Sequence, residues 1–389
     1  MAGVSVVDRA RAMRDVVRAE ADESERLRTL SPVIVDEMWA RDLMPAFNPK
    51  TAGGVEPSFQ EMIDTWIEMA WQDGSFGWIG IANLPSTFAA ATYLPDDGFA
   101  EIFTQNDNRI TIGGQYFPNG QGAAVEGGYR LSGAWSFGSG TGHSAYIGAG
   151  FFPMDDGEMR WVADGIPDMR VAFIPRHEVT FADGWYVQGL KGTGSYDYSV
   201  TDVFVPECRT IPLFVREPAR GNSAASRMGL MPVTAAGHAS FALGVAKSML
   251  DDVEELAATK VRMSDMATLA TRQTFQKGLA HHVAAWRAAR LLVLDAFATA
   301  ESAVDAGEDL TPRLRADMRV AAVYATDISR EIAEWAHLAA GTTAIREGSR
   351  LERAFRDIYT GTQHAFISEK VAMDAAQIWL GLVDDQFGL

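Results

Sequence analysis

The sequence has little cysteine and comparatively few basic residues. Its single cysteine, Cys208, excludes an intrachain disulfide and a thiolate metal cluster, so the cysteine count does not require an oxidising compartment. Among 389 residues, 34 Lys and Arg stand against 51 Asp and Glu, which gives a formal charge of −17. A chain with that charge repels a phosphate backbone, and a nucleic-acid partner is therefore not expected.

Targeting and membrane signals are also lacking. The first 28 residues mix arginine with acidic residues and contain neither the apolar block nor the cleavage site of a signal peptide. Two uncharged windows, residues 74–95 and 228–246, are as long as a membrane span, but proline interrupts each of them, at Pro85 and Pro232. We interpret both windows as buried helices and expect a cytoplasmic protein with no membrane partner.

Hydrophobic periodicity divides the chain into three parts. Helical spacing continues to about residue 106, short alternating runs broken by glycine follow, and helical spacing returns from about residue 224. This order predicts an α+β fold with an N-terminal helical domain (residues 1–106), a β domain (107–220) and a C-terminal helical bundle (221–389). A dinucleotide-binding fold is not indicated, because Asp197 occupies the position of the third glycine in the one glycine loop that approaches its fingerprint.

Common catalytic motifs are missing. None of the seven histidines forms an i, i+4 pair beside a glutamate, so no metal site is predicted. No serine lies in a Gly-x-Ser-x-Gly elbow, which leaves a serine hydrolase without its usual local signature. The chemistry must therefore be sought in less regular patterns.

Residues 133–143 combine a tryptophan-bearing strand with a loop rich in glycine and hydroxyl groups. Such a loop allows backbone amides and a hydroxyl to approach a flat heterocycle closely, while Trp135 covers one face of it. The same residues also suit a glycine-rich hairpin in which Trp135 only fills the core. Composition alone leaves both interpretations open.

A second candidate lies near the C-terminus. On a predicted helix, Arg353, Arg356 and Asp357 share one face, and His364 follows about two turns later. These residues could equally form a solvated ion-pair face.

Over nearly the whole chain, the order of helices, β domain and helices resembles the acyl-CoA dehydrogenase superfamily. The motifs that carry this resemblance are residues 73–78, 127–137, 189–195 with 203–206, and the pair Arg356-Asp357. Each motif alone is weak, and their order and spacing supply the specificity.

The catalytic glutamate of the dehydrogenases has no counterpart at either of its two family positions. Gly348 occupies the commoner position, with Glu347 one residue out of register, and no acid lies near Met231 at the other. Removing a proton beside a thioester requires a base at one of these places. A simple acyl-CoA dehydrogenase is therefore disfavoured.

The chain is more similar to the flavin-dependent monooxygenase branch of that superfamily. The matching residues are Leu351, Arg353, Arg356, Asp357 and His364, together with Trp135, Phe137, Ser139 and Gly140. The resemblance implies the oxygenase component of a two-component system, a homotetramer that receives reduced FMN or FAD from a separate NAD(P)H-flavin reductase. In that branch O2 forms a C4a-hydroperoxide, which oxygenates an apolar aromatic or polycyclic small molecule.

The resemblance also implies roles for individual residues. Ser139 would hydrogen-bond the flavin near N5, and His364 would act as a base or hydrogen-bond donor, given an ordinary imidazole pKa of about 6.5. The residues expected to bind the cofactor are Trp135, Phe137, Ser139, Gly140, Arg262, Arg356 and Asp357. The residues expected to bind the substrate are Trp78, Ser86, Tyr116, Phe117, His143 and His238. Core packing would account equally well for Trp78, Tyr116, Phe117 and His238, and this alternative stays open.

Two departures from the family pattern matter. Ser86 stands where several relatives carry a substrate-side histidine, which weakens any claim to their particular substrates. The element that holds the FAD adenosine in dehydrogenases is altered from Arg262 onward, which favours FMN over FAD. Two alternatives stay open: an acyl-CoA dehydrogenase-like FAD enzyme with a displaced base, for which Glu347 is the best candidate, and a non-catalytic subunit of a hetero-oligomer.

Overall fold

A computed structural model describes residues 3–261, 266–386 and 388–389. The N-terminal helices are α1 (Val6–Arg11), α2 (Arg14–Leu27), α3 (Pro32–Ala40), α4 (Phe59–Gln72), α5 (Gly74–Tyr93) and α6 (Asp96–Ile102). Serine and aspartate side chains define several of their starts: Ser58 accepts from the Glu61 amide, and Asp73 accepts from the Phe76 amide.

Helix α5 is the central helix of this part, and nearly all of its residues are buried. It corresponds to the first uncharged window, so the interpretation of that window as a buried helix is confirmed. Within the described part of the chain, no helix is long and apolar enough to cross a membrane. The amide of Asn83 donates to the Ile112 carbonyl over 2.7 Å, which joins α5 to the first strand of the β domain.

The β domain is built on one mixed sheet. Its strands are β1 (Ile112–Val125), β2 (Gly128–Gly138), β3 (Tyr146–Asp155), β4 (Glu158–Met159), β7 (Arg170–Pro175), β8 (Thr180–Phe181), β9 (Tyr196–Pro206) and β10 (Thr210–Pro212). The strand order is β10-β7-β3-β1-β2-β9-β8, with β4 paired to β3, and a small separate pair consists of β5 (Trp161–Ala163) and β6 (Ile166–Pro167). β1 and β3 are parallel, whereas β2 and β9 are antiparallel. The loops that end β2 and precede β9 therefore emerge side by side.

The C-terminal part is a bundle of α7 (Ala224–Met228), α8 (Leu230–Thr259), α9 (Gln273–Asp305), α10 (Pro312–Ala340), α11 (Arg350–Gly361) and α12 (Glu369–Trp379). Buried side chains on α8 pack against α4, α5 and α10, which makes α8 the core helix of the bundle. The predicted α+β class is confirmed by this arrangement. The three parts meet where α5, α8 and α11 approach the two adjacent loops of the β domain.

Candidate active site

Side chains from all three parts of the chain converge at this junction. The Trp78 indole on α5 donates its Nε1 hydrogen to Ser139 Oγ, just after β2, over 3.0 Å. On its other side the indole packs edge-on against His238 of α8 and His364, with ring centroids 5.4 and 5.9 Å away. The two imidazoles lie 4.4 Å apart. The structure therefore brings four residues with predicted roles into one cluster.

The loop that carries Ser139 requires glycine beside it. Gly140 has φ of +75°, and a Cβ atom there would lie 2.2 Å from Asn83 Oδ1. Phe137 also has a positive φ, and its amide is held by the Asp197 carboxylate over 3.1 Å. These constraints fix the loop, and they leave Ser139 partly exposed at the junction.

Behind Ser139 lies a row of hydroxyl groups. Ser139 Oγ is 2.8 Å from Ser195 Oγ, and Ser195 Oγ is 2.7 Å from Thr193 Oγ1. Thr193 Oγ1 in turn donates to the Leu190 carbonyl over 2.8 Å. We refer to Trp78, Ser139, Ser195, Thr193 and the Leu190 carbonyl as the hydroxyl relay. Ser195 and Thr193 are buried, and within the described residues their hydroxyl groups form hydrogen bonds only with members of the relay.

The loop that contains the relay is anchored to two helices. The Leu190 amide donates to Asp357 Oδ1 of α11 over 2.6 Å, and the Gly192 amide donates to Ser75 Oγ of α5 over 3.1 Å. Asp357 is fully buried, and its Oδ2 has no hydrogen-bond partner within the described residues. Burial, together with the nearby Asp73 carboxylate, raises the pKa of Asp357 to about 8.

The ionic residues of α11 bind the protein itself. Arg356 forms ion pairs with Glu25 and Glu352 and donates to the Gln188 carbonyl over 2.9 Å. Asp357 anchors the relay loop by accepting the Leu190 amide hydrogen. Both residues therefore anchor the protein framework, and their assignment to the cofactor stays a prediction.

His364 lies beyond the end of α11, at the start of a short 3₁₀ turn, Ala365–Ile367. Its Nδ1 accepts the Phe366 amide hydrogen over 3.2 Å. Desolvation, followed in size by the charge of Arg319, lowers the pKa of His364 to about 4. The ring nevertheless remains accessible to solvent. Near neutral pH the imidazole is therefore uncharged, its proton sits on Nε2, and it offers the site a hydrogen-bond donor.

This placement corrects one expectation. The sequence interpretation gave His364 an ordinary imidazole pKa and allowed it to act as a base. The lowered pKa and the occupied Nδ1 leave only the donor role near neutral pH. His364 also begins the 3₁₀ turn by accepting the Phe366 amide hydrogen, and its role toward a substrate stays a prediction.

Arg319 supports the His364 turn and was missed by the sequence analysis. Its Nη2 donates to the Phe366 carbonyl over 2.8 Å, and its guanidinium carbon lies 3.5 Å from the centre of the Phe366 ring. Desolvation lowers the pKa of this buried arginine to about 10. The residue lies within α10 and belongs to no motif, so only its spatial position reveals the contact.

The other residues predicted to bind the substrate lie in different surroundings, and only His238 belongs to the cluster around Trp78. Burial lowers the pKa of His238 well below its usual value, and its Nδ1 has no partner within the described residues. The Tyr116 hydroxyl donates to the Ser86 carbonyl over 3.1 Å, which links β1 to α5. Phe117 is 67% exposed. Burial, and then Arg176, lower the pKa of His143 to about 4, and no contact joins it to the Trp78 cluster in the described structure.

Two predicted cofactor residues need separate comment. Trp135 is 1% exposed, donates to the Gly150 carbonyl and stacks on Tyr198, so its ring fills the β core rather than facing the junction. The prediction that Trp135 covers a ligand face is therefore not supported, and the core-filling alternative is correct. Arg262 lies outside the described residues.

Comparisons with known proteins agree with this geometry. Residues 236–369 match the profile of the C-terminal domain of acyl-CoA dehydrogenases. Indole-3-acetate monooxygenase of Pseudomonas putida is 30% identical over 375 residues, which cover 94% of this chain and 90% of that protein. The flavin-dependent monooxygenase oxygenase subunit HsaA of Rhodococcus jostii is 27% identical over 98% of both chains.

A solved structure shows the same fold. XiaF from a Streptomyces species, in complex with FADH2 and glycerol, superposes with a TM-score of 0.89 over 99% of this chain and 97% of that one, at 23% identity. The acyl-CoA dehydrogenase-like layout expected from the sequence is thus confirmed. The similarity covers all three parts of the chain and therefore includes the junction where the four side chains meet.

Proposed function

The chain belongs to the flavin-dependent monooxygenase family that has the acyl-CoA dehydrogenase fold, and from this we propose that it is the oxygenase component of a two-component system. In this role it takes reduced flavin, FMN or FAD, from a separate NAD(P)H-flavin reductase and inserts one atom of O2 into an aromatic small molecule. The observation that carries the proposal is the convergence of Trp78, Ser139 and His364 at one accessible junction. A cytoplasmic location accords with this supply of reduced flavin.

The residues present suit a flavin. Ser139 Oγ is partly exposed and, after accepting from Trp78 and bonding Ser195, has one lone pair left for a ligand. Gly138 and Gly140 are buried, and Cβ atoms on them would meet Tyr198 and Asn83, so these two glycines fix the loop that presents Ser139. We infer that Phe137, Ser139 and Gly140 would hold the isoalloxazine edge.

Reduced flavin, when bound, supplies the two electrons that activate O2 for transfer to the substrate. Around that chemistry the chain contributes three effects. Ser139 would accept a hydrogen bond from the edge of the bound ring, and His364 would offer its Nε2 hydrogen to oxygen at the site of transfer. Trp78, His238 and Phe241 pack into an apolar wall that excludes water.

The dehydrogenase alternative gains no support from the site. Glu347, its best candidate base, is exposed. It lies in the segment before α11, apart from the cluster around Trp78. No specific observation favours a non-catalytic subunit, since Ser139 and His364 are both present beside Trp78.

The proposal is tested by supplying the electrons in two ways. The purified protein is mixed anaerobically with chemically reduced FMN and indole-3-acetate and then exposed to O2, and oxygenated product is measured by mass spectrometry. A parallel sample receives NADH with and without an added flavin reductase. Product in the first sample, and NADH use only with the reductase, support the proposal. Tightly bound yellow FAD that is bleached by acyl-CoA would contradict it, as would no binding of flavin in either redox state.

Replacing Ser139 by alanine is expected to increase the share of oxygen released as hydrogen peroxide by about two- to tenfold, because one neutral hydrogen bond to the flavin edge is lost. Peroxide and product are measured together in single-turnover reactions with reduced FMN. Ser136→Ala is the matched control, since Ser136 lies three residues earlier, near the end of β2, and is exposed. An unchanged ratio of peroxide to product in Ser139→Ala would remove Ser139 from the cofactor site.

We also propose a homotetramer assembled through the C-terminal bundle. Large apolar side chains remain exposed there: Leu291, Leu292, Leu380 and Leu382. Leu291 and Leu292 lie on α9, Leu380 and Leu382 follow α12, and exposed apolar side chains of this kind are typical of a subunit interface. Sedimentation at micromolar concentration is expected to give four times the chain mass of 42.3 kDa. A monomer under those conditions would contradict the assignment.

A further inference from the structure

The hydroxyl relay has a definite direction. Each hydroxyl group has one proton to donate, and Ser195 and Thr193 are buried, so their protons must be used within the relay. Thr193 Oγ1 and the Leu190 carbonyl oxygen lie 2.8 Å apart, and two oxygens at that distance repel unless a proton lies between them. The Thr193 proton is therefore committed to Leu190.

The other protons follow in order. Because Thr193 has used its proton, the 2.7 Å contact with Ser195 must carry the Ser195 proton. The 2.8 Å contact between Ser195 and Ser139 must then carry the Ser139 proton. Trp78 Nε1, which can only donate, completes the sequence at Ser139. In this direction every contact of the relay contains one proton.

The consequence for a ligand is specific. Ser139 is partly exposed, but its proton points back toward Ser195, so it meets a ligand only as an acceptor. The reverse direction would free the Ser139 proton, but it would leave Thr193 Oγ1 and the Leu190 oxygen facing each other without a proton. Reversal is therefore opposed by the contact between Thr193 and the Leu190 carbonyl, which lies at the end of the relay away from Ser139.

Flavin presents opposite groups at N5 in its two redox states. Oxidised flavin has an unprotonated N5, which is a hydrogen-bond acceptor, whereas reduced flavin has an N5–H, which is a donor. An acceptor-only Ser139 pairs with the reduced form and opposes the oxidised form, because two acceptors cannot share a hydrogen bond.

We propose that Ser195 and Thr193 are positioning residues that make the site selective for reduced over oxidised flavin, by holding the Ser139 proton away from the ligand. This inference rests on the proposed function, since it takes Ser139 as the partner of flavin N5. It explains how an oxygenase that receives its flavin from another protein admits the reduced form and releases the oxidised form. Neither residue touches the flavin itself.

The test compares the affinity for the two redox states of FMN. Dissociation constants are measured for oxidised FMN by fluorescence quenching and for reduced FMN by anaerobic titration. Ser195→Ala removes the acceptor of the Ser139 proton, and Thr193→Val forces Ser195 to donate to Ser139, so both variants release the Ser139 proton toward the ligand. Each is expected to bind oxidised FMN about two- to tenfold more tightly, with the affinity for reduced FMN little changed.

Thr141→Val is the matched control. Thr141 is buried in the same region and donates to the Gly194 carbonyl over 3.1 Å, but its hydroxyl lies outside the relay. Its loss is expected to leave the ratio of the two dissociation constants unchanged. In a Ser139→Ala background, Ser195→Ala should have no further effect on that ratio, because no Ser139 proton remains to be directed.

The outcomes separate this inference from the proposed function. If the parent binds neither redox state of FMN, the proposed function fails. If the parent prefers reduced FMN but Ser195→Ala and Thr193→Val leave its preference unchanged, the relay direction is not the cause and the inference is overturned. Equal weakening of both redox states in the two variants would also overturn it, since that is the result of a merely structural role.

Discussion

Replacing His364 by alanine is expected to lower product formation by roughly 10²- to 10³-fold, the usual cost of removing one hydrogen-bond donor to the charge that develops in a transition state. Oxygen consumption should continue, and the reduced flavin should instead yield hydrogen peroxide. The measurement is a single turnover with reduced FMN in which product and peroxide are both counted. Oligomeric state and flavin affinity should match the parent, because His364 contributes a donor rather than a fold-determining contact.

The donor role of His364 gives this prediction a pH signature. A base with an ordinary imidazole pKa would make the rate of oxygen transfer rise between pH 6 and 7. Because desolvation and Arg319 lower the pKa of His364 to about 4, the imidazole stays neutral and its Nε2–H stays in place throughout that range. The rate of the transfer step should therefore be independent of pH between about 5.5 and 8 as far as this residue is concerned.

Two variants distinguish a donor from other roles. His364→Gln keeps an amide N–H in the same region and should recover part of the lost coupling, whereas a base could not be replaced by an amide. His281→Ala is the control, because His281 is an exposed histidine on α9, remote in the chain from the site. If His364→Ala couples oxygen to product as efficiently as the parent, His364 serves only to start the 3₁₀ turn.

Periodicity and family spacing were sufficient to predict the fold class. They also indicated the two motifs that supply Ser139 and His364, because local order in the chain reports these features directly. Side chains alternate between the two faces of β2, and Trp135 lies on the same face as the buried Tyr129 and Leu131. The alternation along this strand, followed as far as residue 135, therefore predicts that Trp135 lies in the core.

What the sequence could not reveal depends on three-dimensional contact. The relay joins hydroxyls that are 56 residues apart in the chain, and Ser and Thr are too common for such a pairing to stand out. Nothing in the sequence distinguishes Arg319 from other arginines on long helices, and only the fold brings it against the Phe366 ring. The lowered pKa of His364 likewise arises from desolvation by surrounding protein and from the charge of Arg319, which a motif does not report.

Asp357 is expected to show the largest effect on stability. Asp357→Ala leaves the buried Leu190 amide without an acceptor, which should cost about 1 to 3 kcal/mol in the free energy of unfolding. Asp357→Asn retains an acceptor oxygen and should cost much less. The quantity is measured by chemical denaturation at constant protein concentration, so that any linkage to oligomerisation is the same for each variant.

The same carboxyl makes stability depend on pH in a direction that can be derived. Burial and Asp73 raise the pKa of Asp357 to about 8 in the folded protein, whereas an unfolded aspartate ionises near 4. Between these values the folded state binds more protons than the unfolded state, so this group makes the protein progressively less stable as pH rises from about 4 to about 8. Above that window its contribution is constant.

Asp357→Asn removes this titration, since an amide does not ionise. Its stability relative to the parent should therefore increase steadily from pH 5 to pH 8, and it should exceed that of the parent at the alkaline end. Asp155→Asn is a useful contrast, because Arg160 lowers the pKa of that exposed carboxyl, so it is ionised in both the folded and the unfolded state above about pH 5 and its replacement should change stability by a constant amount across this range. A constant stability difference between Asp357→Asn and the parent across the range would mean that Asp357 is ionised in the folded protein. The anchor of the relay loop would then be a charged carboxylate rather than a neutral one.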